Sequence, residues 1–415
     1  MTEGVVRGLL AERIGGASFG LAGKTYKFAR IKAAVAAARQ AHPDVELIDM
    51  GVGEPDQMAD ASVVAELAAQ AAKPENRFYA DNGIMPFREA ACRYMARTYG
   101  VGWLDPERHI CPSIGSKPAL ALLPLAFINP GDVTVTTVPG YPVIATYTRY
   151  LGGEVVELPL LPENGFLPDL ERLTPEQRRR AKLLYLNYPN NPTGAVANRA
   201  FFEGVIDFAR RHRILVVHDA AYGALVFDGE EPLSILSIPG AEEVAVEVHS
   251  ISKAFNMTGW RLGWVCGNEL AVKAFAEVKD NTDSGQFRAI QWAAIRALEQ
   301  PEITAAACRR YSRRMDMLTE ALREAGFPAK KSRGSFYMYV PAPVGTRDGQ
   351  RFPTAADFSE WLITHKLIAT VPWDEAGAYV RFSVTFEAKD EADERRVIDE
   401  VRRRIMSSKY IFREV

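Results

Sequence analysis

The sequence predicts an α/β protein, with a large unit built on a mostly parallel sheet flanked by helices and a smaller α+β unit after it. Three observations predict this. From about Asp44 to Val265, short β-like runs alternate with helix-like stretches, the order that buries a parallel sheet between two helical layers. Past about Asp280 the character changes: Met315, Leu318, Leu322 and Ala325 recur at helical spacing before a strand-like run from Ser335 to Val340. The length of 415 residues suits two or three structural units, at about 150 residues each. The expected division is an N-terminal arm with part of the small unit over 1–45, a large unit over 46–300 and a small C-terminal unit over 301–415.

The strand candidates are Val133 to Val138, Leu183 to Tyr188, Ile214 to His218, Val244 to Val248 and Leu262 to Cys266. Each ends in polar or Gly/Pro residues, and ligands of open α/β sheets bind outside the carboxyl ends of the strands. A helix is expected from Ser116, with Pro118 in its first turn. A Pro/Gly-rich loop follows Val340, and a later strand from Ala378 to Phe386 carries Arg381. There is no internal repeat and no low-complexity tract.

Composition narrows the function classes. With 47% hydrophobic, 25% charged and 10% aromatic residues, the chain is that of a globular protein. Fifty Lys plus Arg against 52 Asp plus Glu leave a net charge of −2, so no overall field draws nucleic acid or an anionic membrane. The longest apolar stretch, Ala119 to Ile128, is too short to span a bilayer, and the first residues lack a secretion signal. A cytoplasmic location is expected, with no nucleic-acid and no membrane partner. The four cysteines are scattered without CxxC spacing, and the six histidines form no HExxH pair, so no metal is expected. Gly16-Ala17-Ser18-Phe19-Gly20 fits GxSxG, but no β run precedes it; it reads as part of a flexible arm.

The segment SISKAFNMTGWRLGW, Ser250 to Trp264, holds the most telling chemistry. A lysine after an apolar strand is a poor core residue, and in a half-buried crevice it loses its proton and attacks carbonyls. Lys253 is therefore a Schiff-base candidate. Ser250, Ser252 and Arg261 suit a phosphate, the guanidinium as a two-pronged clamp. A reactive lysine beside a phosphate site suggests pyridoxal phosphate. Asp219, ending the apolar run ILVVHD, would then pair with the pyridinium nitrogen and keep the ring an electron sink. Tyr222 and Asn191, the latter in YPNNPTG, would donate to the ring's phenolic oxygen. Ser116 opens a helix whose free N–H groups would face an anion, and Tyr141 in VPGYPV would stack on a planar ring. Each signal alone also reads as a turn or a helix cap.

Taken in order, these segments resemble the class I/II, fold-type I pyridoxal-phosphate-dependent aminotransferases, from roughly Ile48 to Phe386. The resemblance implies a seven-stranded, mostly parallel sheet and the following roles. Lys253 holds the cofactor, Asp219 pairs with its ring nitrogen, and Asn191 and Tyr222 bind its ring oxygen. Ser116, Lys117, Ser250 and Arg261 hold its phosphate. Arg381, in YVRFS, takes the substrate α-carboxylate, with Asn191 and the backbone of Gly53, in GVGEPD, lining the same pocket. The substrates would be an amino acid and a 2-oxo acid, and the active sites of a homodimer would be shared across the interface, with Tyr79 reaching the neighbour's phosphate. Asp81, in the same loop, reads either as a receiver of a substrate's distal ammonium or as a turn residue. Ser284 and Gln286 read either as contributions from the partner or as a solvated helix start. The same cofactor residues also serve C–S β-lyases and aminotransferases of broader alanine, aspartate or aromatic specificity. A regulatory scaffold would be expected to have lost Lys253.

Overall fold

The structure, a computed structural model, describes residues 3–21 and 27–413, so the expected arm over 1–45 is described except at 1–2 and 22–26. The main sheet comprises β1 (Ile110–Ser113), β2 (Val133–Val138), β3 (Glu154–Pro159), β4 (Ala181–Asn187), β5 (Leu215–Asp219), β6 (Ala245–Ser250) and β7 (Gly263–Gly267), in the order β1-β7-β6-β5-β4-β2-β3. Strands β3, β2, β4, β5 and β6 are mutually parallel, and β7 runs antiparallel to both of its neighbours. Central strands of such a sheet are covered on both faces and read as continuous apolar runs, as in Leu183 to Leu186, all buried.

The two strands absent from the candidates lie at the sheet's edges, where that signal fades. In β3 polar residues interrupt an edge that is partly exposed, and in β1 Pro112 occupies a strand position that proline tolerates only at an edge. The other strands begin within a residue or two of their expected starts. Gly16–Ser18 forms one short helical turn, and Arg7 donates hydrogen bonds to the carbonyls of Ala17 and Phe19; no strand leads into it.

Helices α1 (Ala61–Ala71), α2 (Met85–Tyr99) and α3 (Ser116–Phe127) lie against the main sheet or each other's neighbours, and α4 (Arg288–Leu298) packs on α1 and α2. The chain past Asp280 thus still belongs with the helices of the main sheet as far as α4. The long α5 (Pro301–Glu324) then packs against α6 (Glu391–Met406). A three-stranded antiparallel sheet holds β8 (Tyr337–Pro341), β9 (Val371–Trp373) and β10 (Tyr379–Ser383), in the order β9-β10-β8. The N-terminal part joins this smaller sheet's surroundings: Ile48–Asp49 pairs in parallel with Ile368–Ala369, and the helix Lys27–Ala41 packs on Leu362–Lys366. No helix among the described residues is long and apolar enough to cross a membrane.

Candidate active site

The carboxyl ends of β4, β5 and β6 open into a cavity of about 620 Å³, closed on its other side by residues of β8, β9 and β10 and by the loop after Met50. Its floor is Asp219, the last residue of β5. One carboxylate oxygen accepts from the Tyr185 hydroxyl at 3.1 Å and the other from the Ala221 N–H at 3.1 Å. Asn187 donates to the Asp219 carbonyl at 2.9 Å. Burial pushes the Asp219 carboxyl up, while these two donors and the nearby His218 and His249 oppose the rise. A cationic ring nitrogen set against it would complete the opposition.

Tyr222 is buried, its hydroxyl 3.1 Å from that of Tyr337, and burial holds that hydroxyl protonated, well above its ordinary range. It can donate to an anionic oxygen. Asn191 is fixed from both ends: its N–H donates to the Asn187 side chain at 2.8 Å and its side-chain oxygen accepts from Arg381 at 2.8 Å.

Lys253 sits in a single helical turn, Ile251–Ala254, directly after β6. Its ammonium nitrogen donates to the Gly53 carbonyl at 2.7 Å. Burial brings its pKa down to about 8; Glu54 resists this, while Arg261 and Arg381 reinforce it. The side chain is therefore far more often a free amine near neutral pH than an ordinary lysine, which a nucleophile and proton carrier requires.

A cup lies beside it at the start of α3. Gly115, at φ 85°, precedes Ser116 and Lys117, and no side chain caps the first-turn N–H groups. A Cβ on Gly115 would lie 2.3 Å from an Arg261 guanidinium nitrogen, so glycine alone lets the cation stand beside the helix terminus. Ser250 and Ser252 complete the cup; the Ser250 hydroxyl accepts from the Ser252 N–H at 3.1 Å. Free N–H groups, hydroxyls and a guanidinium in a concave site are a fit for a phosphate.

Across the cavity Arg381 is buried, with its guanidinium carbon 3.9 Å from the Tyr337 ring centroid. One terminal nitrogen donates to Asn191 and the other to the Gly51 carbonyl at 3.0 Å, while Nε has no hydrogen-bond partner among the described residues. A buried guanidinium lining such a cavity, with donors in a planar fork, suits a carboxylate. Tyr141 and Gly53 line the same space.

Tyr79 and Asp81 are not brought to this cavity. Tyr79 is 78% exposed, and Asp81 lies in a turn at φ 35°, its carbonyl accepting from Lys279 and its N–H donating to the Ser284 carbonyl. Gln286 donates to the carbonyls of Trp260 and Arg261 of its own chain. Tyr337, Trp373 and Glu375 line the cavity and were not singled out in the sequence. The two aromatics sit in strands, where they read as core; Glu375 follows β9 in a loop, and its proximity to YVRFS was its one signal.

Residues 45–401 match the family model described as aminotransferase class I and II. The chain belongs to this family. The aminotransferase is 57% identical to a protein of Methanocaldococcus jannaschii named LL-diaminopimelate aminotransferase, covering 94% of this chain and 93% of that one. It is 52% identical to the protein of the same name from Methanococcus maripaludis, covering 99% and 100%. Among solved structures, substrate-bound BacF from Bacillus subtilis superposes with a TM-score of 0.85 at 32% identity, over 95% of this chain and 97% of that one. Class I/II aminotransferases transfer amino groups between amino and 2-oxo acids and use pyridoxal phosphate, and the cup, floor and lysine described above fit that group.

Proposed function

We propose that this aminotransferase moves an amino group between LL-diaminopimelate and the 2-oxoglutarate/glutamate couple, a step of lysine biosynthesis, using pyridoxal 5′-phosphate. It works as a cytoplasmic homodimer with shared active sites. The observation that carries the chemistry is Lys253, its nitrogen 2.7 Å from the Gly53 carbonyl, in one cavity with Asp219 and Arg381. The relatives named above support the choice of substrate.

Pyridoxal phosphate, when bound, supplies an aldehyde that condenses with amines and a ring that takes up the electron pair left by a departing α-proton. The chain does the rest. Ser116, Lys117, Ser250 and Arg261 hold the phosphate, with Tyr79 added from the partner subunit. Asp219 holds a proton on the ring nitrogen, Asn191 and Tyr222 donate to the ring oxygen, and Tyr141 covers a ring face. Arg381 binds the substrate α-carboxylate in two-pronged fashion beside Gly53 and Asn191. The freed Lys253 amine takes the proton from the substrate α-carbon and redelivers it. The amino donor leaves as a 2-oxo acid before the second oxo acid enters, so the kinetics are ping-pong.

Diaminopimelate carries a second ammonium and a second carboxylate. Asp219, at the floor, faces the cofactor ring, and Glu375, at the rim, is the other acid lining the cavity; its carboxylate also accepts from the Asp374 N–H at 3.0 Å. Glu375 reads the distal ammonium from that position; Asp81, exposed on its turn, would do so only in a partner's cavity.

The test is the absorption spectrum of cofactor-loaded protein with single amino acids and no acceptor. LL-Diaminopimelate and glutamate are expected to convert the aldehyde form of the cofactor to its amine form, and alanine to leave it unchanged. If diaminopimelate leaves the band in place while another amino acid converts it, the substrate assignment fails and the aminotransferase stands.

A further inference from the structure

Outside the cavity, the same strand ends carry a buried row of polar side chains that the reaction described above does not use. Glu247, in β6, is fully buried and accepts four hydrogen bonds. Its donors are His218 Nδ1 at 2.7 Å, His249 Nε2 at 2.5 Å, the Ser234 hydroxyl at 2.8 Å and the Ile235 N–H at 3.0 Å. Burial alone would raise the Glu247 carboxyl, but His249 and His218 hold it below the usual carboxylate range. His218 is fully buried too, and its other ring nitrogen lies 3.1 Å from the Tyr188 carbonyl.

The donor count is decisive. A carbonyl oxygen only accepts, and an ionised carboxylate only accepts. Both ring nitrogens of His218 therefore face acceptors, an arrangement that a ring carrying hydrogen on both nitrogens satisfies. One cation and one anion, each hydrogen-bonded, form the pairing that permits charge in a protein interior. His249 needs a single N–H toward Glu247, and its ring stacks on Trp264 at 4.9 Å and 9°.

The row crosses four adjacent strands. Tyr188 follows β4, His218 lies in β5 opposite Glu247 in β6, and His249 in β6 lies opposite Trp264 in β7. At the Tyr188 end of the row the chain neighbours are site residues: Asp219 follows His218 directly, and the turn after Tyr188 delivers Asn191. The other titratable groups around the row are Tyr99, whose ring is 5.3 Å from that of His249, and Cys266, whose sulfur contacts the Glu247 carbonyl.

We propose that His218 is a buried imidazolium that, held by Glu247 and by the Tyr188 carbonyl, positions Asp219 and Asn191 against the cofactor ring. Its charge, one residue from Asp219, also favours the ionised carboxylate there, the direction in which His218 acts on Asp219. His218 touches neither cofactor nor substrate; it is a positioning residue. The inference rests on the cofactor reading above.

Two measurements test it. In protein labelled with 15N in its histidine rings, with and without cofactor, the His218 ring is expected to show two N–H protons near neutral pH, assigned by their loss in His218→Gln. A single ring proton would overturn the proposal. The second measurement compares pyridoxamine phosphate, which forms no covalent bond to Lys253, with inorganic phosphate as ligands of the cofactor-free protein. In His218→Gln the first should bind roughly ten-fold more weakly, the equivalent of one pKa unit of interaction. Phosphate should bind within about two-fold of wild type, because none of the cup's residues lies on β5 with His218. Equal weakening of both ligands, or of neither, would mean the row is merely structural and would overturn it.

His218→Gln leaves Glu247 without its cation, so the double variant His218→Gln/Glu247→Gln provides a neutral amide pair that keeps hydrogen-bonding groups in place. It should show the same selective loss; wild-type affinity for pyridoxamine phosphate in that variant would overturn the role of the charge. Wild-type protein that binds phosphate but not pyridoxamine phosphate would remove the cofactor reading and this inference together.

Discussion

At Lys253, burial and two nearby guanidinium groups disfavour the ammonium, so the amine titrates at about 8 in place of 10.5. The unfolded chain holds that proton more tightly than the folded one between these values. Protonation therefore costs stability below about pH 8, and the cost fades as pH rises toward 10.5. Cofactor-free Lys253→Met is expected to melt at a higher temperature than wild type at pH 7, with the gap closing by pH 10; a gap constant with pH would contradict the shift. Glu375 makes a second residue-scale prediction. Glu375→Gln should lower kcat/KM for LL-diaminopimelate relative to glutamate by roughly ten-fold, or about 1.5 kcal/mol, the scale of a hydrogen bond to a charged group. An unchanged ratio would remove Glu375 from substrate reading. The sequence disclosed Lys253, Asp219 and Arg381 because a charged residue closing or interrupting an apolar strand has few structural uses. It did not disclose Tyr337, an aromatic in a strand, or the row through His218 and Glu247. Those two residues are separate in sequence and meet through the pairing of β5 with β6.

Elements place these residues through a few buried joints. Arg314, on α5, is fully buried, 3.0 Å from Asp56 in the GVGEPD loop and 3.1 Å from Glu394 on α6, and it donates to the carbonyls of Val384 and Phe386 just after β10. It thus ties the loop carrying Gly51 and Gly53 to the strand carrying Arg381. Arg314→Met would leave the buried Asp56 carboxylate without its cation, while Glu394 keeps Arg313 at 2.7 Å, and chemical denaturation should show a loss of about 3–5 kcal/mol; a loss under about 1 kcal/mol would mean Asp56 finds another partner. At this scale the central strands were legible from their apolar runs, with ends displaced by a residue or two. The edge strands β1 and β3 were not: β1 is buried but short and broken by Pro112, and the partly exposed β3 carries no continuous apolar signal. The character change near Asp280 reflects a loop, residues 281–287, and not a change of packing partner, because α4 returns to α1 and α2.

At the scale of the whole molecule, the loop bearing Tyr79 is fixed within its own chain while presenting its ring outward. Arg288 donates to the Tyr79 carbonyl at 2.6 Å, and the guanidinium groups of Arg77 and Arg288 lie 4.0 and 5.7 Å from the Phe78 ring. Phe78 and Tyr79 are nonetheless 52% and 78% exposed. An ordered loop offering two aromatics fits a surface meant for a second copy. If Tyr79 completes the neighbour's site, coexpressing Lys253→Ala and Tyr79→Ala subunits should recover about a quarter of wild-type activity. Half of the dimers would be mixed, each with one intact site. Activity no greater than that of either variant alone would place Tyr79 outside the neighbour's site. Dimerisation leaves no periodic mark on a sequence, so only the resemblance pointed to it. The connection from β6 to β7, residues 251–262, carries both Lys253 and Arg261, whereas Gly53, Glu375 and Arg381 come from segments remote from it. On the roles proposed above, Lys253 and Arg261 grip the coenzyme from one piece of chain, while Gly53, Glu375 and Arg381 receive the substrate from others. Grafting the 371–378 segment from a relative of different selectivity is a route to new amino donors that leaves the coenzyme's anchorage untouched.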